Sequence, residues 1–80
     1  MSEYTETDKV LAEELAASTR ELGVQCTAED VLGFAVDMSE SLERLGMPTT
    51  VESVLGYAWL DGACYRRLIA AMRRAQEAKQ

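Results

Sequence analysis

Asp37, Glu40 and Glu43 recur at spacings of three, so on a helix their carboxylates share one outer face. Glu13 and Glu14 add two acids upstream. Such groups can exchange protons as a general acid and base, or meet the cations of a partner. Arg66 and Arg73 are seven apart, as are Arg67 and Arg74, which gathers four guanidinium groups on a ridge suited to phosphate. Tyr57, Trp59 and Tyr65 form an aromatic group of the kind that anchors interfaces. Cys26 and Cys64 are the two thiols.

Most catalytic uses of these groups are closed. Histidine is absent, which removes Ser-His and Cys-His activation of a nucleophile. Lys9 and Lys79 stand near the two ends, poor places for a buried Schiff base. The five glycines are scattered singly, with no phosphate-cradling loop. Two cysteines without histidine do not complete a structural zinc site. The expectation is a protein that is not an enzyme, with no catalytic residue, no cofactor and no metal. Both cysteines are expected as reduced thiols packed as small apolar groups, a single intramolecular bridge being the alternative. For Asp37, Glu40 and Glu43, a solvated helix face outweighs acid–base work.

Eighty residues with 48% apolar and 28% charged side chains make one small folded domain. Fourteen acids against eight bases give a net charge of -6, with a pI near 4.5. No apolar run approaches the roughly 18 to 20 residues that span a bilayer. The opening MSEYTETDKV is polar and acidic, unlike a signal or transit peptide, so a cytoplasmic protein without membrane contact is expected.

The apolar spacing is helical throughout, and no alternating run predicts a strand. An all-α bundle of three to four helices is expected, at about 7–22, 28–45, 50–60 and 62–78, preceded by a flexible segment 1–6. The first helix carries a thin stripe, Leu11, Leu15, Ser18 and Leu22, which suggests an outer position; Gly23 ends it. The second opens on Thr27 with Asp30 three residues on, a capping box, and places Cys26 and Val31 as a hydrophobic staple. Its stripe is Val31, Phe34, Ala35, Met38, Leu42 and Leu45, while Leu32 and Val36 fall about 100–140° away. A helix apolar on two sectors is central or meets something further. The third starts at Thr49 with Glu52 as a capping box and buries Val51, Val54, Leu55, Ala58 and Trp59. The phase runs on through Gly62, Tyr65, Ile69 and Met72, so the last two helices can be one kinked helix. Leu60 would then point away from the core. A new helix capped by Asp61, with Leu60 and Tyr65 as its staple, accounts for both and is the reading adopted.

Charge is polarised along the chain. Residues 1–43 hold eleven acids against Lys9 and Arg20, a net of -9; residues 44–80 carry a net of +3. The plainer reading of the arginines is that they suit a helix C-terminus and are complemented by the acidic half. The net charge also opposes approach to a polyanion, so nucleic acid is the disfavoured partner. In size, acidity and helical content the chain resembles acyl carrier proteins. Their Asp-Ser-Leu is missing: the nearest string is Asp37-Met38-Ser39-Glu40-Ser41-Leu42, in mid-helix, so no carrier serine is implied. In size and charge alone it is also similar to the small acidic helical inhibitors that phages encode, anti-CRISPR proteins included. The expected function is a non-catalytic acidic module, a regulator or inhibitor that binds a basic protein surface. Its acidic contacts are Glu13, Glu14, Asp37, Glu40 and Glu43, and its apolar contacts Leu32, Val36, Tyr57 and Trp59. A homodimer is a further expectation. The alternative is a nucleic-acid-binding regulator using Arg66, Arg67, Arg73 and Arg74.

Overall fold

Capping chemistry sets where each helix begins. In the computed structural model, which describes residues 4–78, α1 spans Glu6–Glu21, α2 Ala28–Arg44, α3 Val51–Leu60 and α4 Gly62–Ala78. The chain is all-α, with no strand among the described residues. Thr27 and Asp30 close the expected capping box on α2. Cys26 and Val31, the staple residues beside it, are both buried. An equivalent box starts α1 earlier than expected: the Thr5 hydroxyl accepts from the Asp8 amide, and the Asp8 carboxylate accepts from the Thr5 amide. Of the segment read as flexible, residues 1–3 lie outside the described residues, Tyr4 packs on the core and Thr5 is this cap.

The cap of α3 is Thr50, not Thr49. Both threonines have a polar residue three positions on, so local pattern does not separate them. The Ser39 hydroxyl donates to the Thr49 carbonyl and holds that residue outside the helix. Thr50 then accepts from the Ser53 amide at 3.1 Å, and Glu52 takes no part in a box.

α1 and α2 end alike. Gly23 and Gly46 adopt φ of 82° and 80°, the left-handed conformation glycine tolerates. Each helix closes with paired bonds, Gly23 to Arg20 and Val24 to Thr19 in α1, Gly46 to Glu43 and Met47 to Leu42 in α2. Leu22 and Leu45, expected on the buried stripes, are instead 56% and 72% exposed. They occupy the cap positions, where the chain has already turned off the packed surface.

α2 packs against all three other helices, which explains its two apolar sectors. Leu32 is only 7% exposed, so it belongs to the core and is not the spare contact residue expected. Val36 is half-buried. α1 is no outer strut either. Its buried face is Ala12, Leu15, Ala16 and Thr19, and it packs on both α2 and α3. Small side chains there permit close approach, so a thin stripe marks tight packing. Leu55, Val31 and Leu68 are fully buried at the centre, with Leu15 and Val54 beside them.

The break before α4 is present. Asp61 ends α3, its amide donating to the Tyr57 carbonyl, and its extended backbone (φ -109°, ψ 112°) stops the helix. The same residue starts α4: its Oδ1 accepts from the Ala63 amide at 2.9 Å and its carbonyl from the Tyr65 amide. Leu60 remains 83% exposed, so the expected Leu60–Tyr65 staple leaves one partner in water. Tyr65 instead turns to α1, its hydroxyl 3.3 Å from the Thr19 hydroxyl. Thr19 Oγ1 donates to the Leu15 carbonyl, so the phenol donates to Thr19.

Candidate interaction surface

The outward sectors of the four helices differ in chemistry. On α1, Glu13 and Glu14 are exposed; on α2, Asp37, Glu40 and Glu43 are exposed along its second half. These two helices pack on one another. On α4, Arg66, Arg67, Arg73 and Arg74 are exposed, centred opposite the buried Leu68 and Met72.

The two charged sets do not neutralise each other. Among the described residues the one ion pair is Lys9–Glu6 at 3.8 Å, within α1. Arg20 donates to the Cys26 carbonyl at 2.8 Å and ties down the α1–α2 loop, and Arg44 reaches Ser41. Among the described residues the four ridge arginines have neither a carboxylate within ion-pair distance nor a hydrogen-bond partner. The acidic half, expected to complement the arginines, forms no ion pair with them among the described residues. The cause is geometric, since the arginines point away from the core that the acidic helices share.

The outer side of α3 exposes Tyr57, Trp59 and Leu60 beside the polar Glu52 and Ser53. Tyr57 is 60% and Trp59 49% exposed, with Leu60 next to them and Gly56 between. Tyr57 walls a depression of about 300 Å³ floored by Met38, Leu42 and Val54, with Cys64 and Arg67 on its rim. Trp59 walls a second of about 290 Å³ on the other side, against Leu15, Ala58 and Tyr65. Both are shallow and open. The two aromatics thus flank α3; Trp59, placed by helix phase on the buried face with Val51, Val54, Leu55 and Ala58, is instead half exposed at the edge of that face, and the exposure of Leu60 departs from its assignment to a staple.

Both cysteines are free thiols. Burial pushes the Cys26 thiol above the ordinary 9.0, helped by Asp30 and opposed by Arg20 and a Thr19 hydrogen bond. Cys64, half-buried, moves the same way through burial and Asp61, against Arg67. Raised values keep both thiols protonated and poorly nucleophilic. No group of three or more metal-ligating side chains occurs among the described residues. No helix among them is long and apolar enough to cross a membrane. In comparisons with known proteins, no family model, no curated protein and no solved structure matches this chain.

Proposed function

We propose that this protein is a non-catalytic regulator or inhibitor that docks the carboxylates of α1 and α2 onto a basic protein surface. One observation carries the reading: Glu13, Glu14, Asp37, Glu40 and Glu43 are exposed and form no ion pair among the described residues, although four arginines there are equally unpaired. Carboxylates not compensated within their own chain project a negative field, which speeds encounter with cationic partners and fixes their orientation. A face of this kind suits a groove that otherwise holds phosphates, as in nucleic-acid-handling machinery, where carboxylates take their place. The thiols, held protonated, offer no nucleophile that would favour an enzyme.

Affinity capture from the source cell, followed by mass spectrometry, tests this when run beside Glu13→Lys/Glu14→Lys and Asp37→Lys/Glu40→Lys variants. Capture of a basic protein by the wild type, lost in either variant, is the expected result. Equal capture by all three proteins would remove the acidic face from the mechanism.

The unpaired arginines of α4 support a second reading, phosphate contact by Arg66, Arg67, Arg73 and Arg74. The net charge of -6 opposes it. Fluorescence anisotropy with a DNA duplex at low salt separates the two. Binding that weakens steeply with salt and vanishes in Arg66→Glu/Arg73→Glu would favour the arginine reading.

A further inference from the structure

We infer that the outer face of α4 is a second interaction surface, and that its partner is a helix of another protein carrying acidic residues along both edges of an apolar strip. This surface is independent of the acidic face of α1 and α2, and the arginine ridge is assigned to protein carboxylates in place of phosphates.

Seven-residue spacing orders this face. Arg66 and Arg73 form one row along α4, and Arg67 and Arg74 a second row about 100° around the helix from the first. Ala63 and Ala70, both exposed, fall in the lane between the rows. Within each row the arginines recur two turns apart, about 10.5 Å along the axis. Arg66, Ala70, Arg73 and Arg74 border an open furrow of about 490 Å³, with Ile69 at its side and Glu77 at its C-terminal end.

Nothing inside the chain accounts for these arginines. Among the described residues none of the four has an ion pair or a hydrogen bond. The helix dipole does not explain them either. No basic residue lies in the last turn of α4, and Arg66 and Arg67 stand in its N-terminal half, where a cation gains nothing from the dipole. Every cation of the ridge is arginine and none is lysine. A merely solvated face has no need of the planar guanidinium fork, which makes paired hydrogen bonds to a carboxylate or a phosphate.

The lane between the rows selects a helix over a phosphate backbone. Small side chains flanked by charges that repeat every seven residues match the contact strip of a paired helix, where the flanking charges choose the partner. Nucleic acid offers phosphates to the arginines but no apolar group to Ala63 and Ala70. A helix with leucine or alanine in the facing strip fills the lane and sets carboxylates beside the arginines at the same repeat. Glu77 stands in the lane one repeat after Ala70 and ends the contact there, so the association is short and weak. Exposed charges are screened beyond about 8 Å at physiological ionic strength. The net charge of -6 therefore works against an extended polyanion more than against one short helix held on α4.

Fluorescence anisotropy at low salt tests this with a labelled helical peptide of about 20 residues, long enough to hold a helix, bearing glutamates along both edges of a leucine and alanine strip. A scrambled peptide keeps the composition and charge but not the strip. The patterned peptide should bind in the micromolar to millimolar range, and the scrambled one clearly more weakly. Arg66→Glu/Arg73→Glu should abolish binding. Arg66→Lys/Arg73→Lys, which keeps the charge without the fork, should weaken it by up to about tenfold. Ala70→Gln, at an exposed site, fills the lane without altering charge and should weaken binding while the far-UV circular dichroism spectrum stays unchanged. Glu13→Lys/Glu14→Lys should leave the peptide bound, which separates this surface from the acidic face. Equal binding of the two peptides, no binding of either at millimolar concentration, or a DNA duplex held more tightly than the patterned peptide would each overturn the inference.

Discussion

Asp61→Ala tests how the α3–α4 elbow is made, and with it the placing of the aromatic face against the arginine ridge. Asp61 Oδ1 accepts the Ala63 amide at 2.9 Å, one of the donors that a helix start leaves without an intrahelical acceptor. Replacing such a cap with alanine costs about 1 kcal/mol, within a span of about 0.5 to 2. In a domain of this size that lowers the thermal midpoint by about 4–8 °C. Asp61→Asn keeps the acceptor and loses only the charge near the helix dipole, a cost of a few tenths to about 1 kcal/mol. Thermal unfolding followed by circular dichroism at 222 nm, with urea midpoints as a check, should therefore rank wild type, then Asn, then Ala. The competing geometry is one continuous helix through residue 61. There Asp61 would be an exposed mid-helix residue, and alanine, the better helix former by about 0.5 kcal/mol, would raise the midpoint. The two accounts differ in sign. A more stable Asp61→Ala would refute the double cap.

Further outcomes follow from burial and titration. Leu55→Ala, which empties a fully buried site, should cost about 2–5 kcal/mol in urea unfolding, whereas Leu60→Ala should cost under about 0.5. Equal effects would mean the core is misassigned. The buried Cys26 thiol has a folded-state pKa above its unfolded value, so the unfolded chain releases its proton first as pH rises. Stability should be flat below the ordinary thiol value of 9.0 and fall above it. Cys26→Ala should flatten that fall, and a slope unchanged in the variant would contradict the assignment. Arg20→Ala removes the bond to the Cys26 carbonyl and should speed amide exchange in the α1–α2 loop without unfolding the helices. Uniform exchange rates across the loop in both proteins would deny that anchoring role.

Local signals were readable and distant ones were not. The Thr27–Asp30 box and the Asp61 break follow from residues within three or four positions, and each appears where the pattern puts it. Thr49 and Thr50 are equivalent by the same test, and the bond that separates them comes from Ser39, ten residues away. Periodicity assigned Leu22 and Leu45 to buried faces because it does not register that the chain has turned at Gly23 and Gly46. It set Leu32 aside because one helix seen alone has one core face, and α2 has several neighbours. The exposed carboxylates of the site were legible from helix phase. Their lack of partners was not, since whether an arginine meets an acid depends on how α4 lies against α1 and α2.

The most direct measurement of the central claim is the association rate between this protein and the basic partner it captures, followed against ionic strength. Unpaired carboxylates on α1 and α2 predict a rate that falls steeply as salt rises, since surface charges are screened within about 8 Å at physiological ionic strength. Glu13→Lys/Glu14→Lys and Asp37→Lys/Glu40→Lys should start lower and fall less. A wild-type rate indifferent to salt, or variants that keep its full slope, would contradict the account.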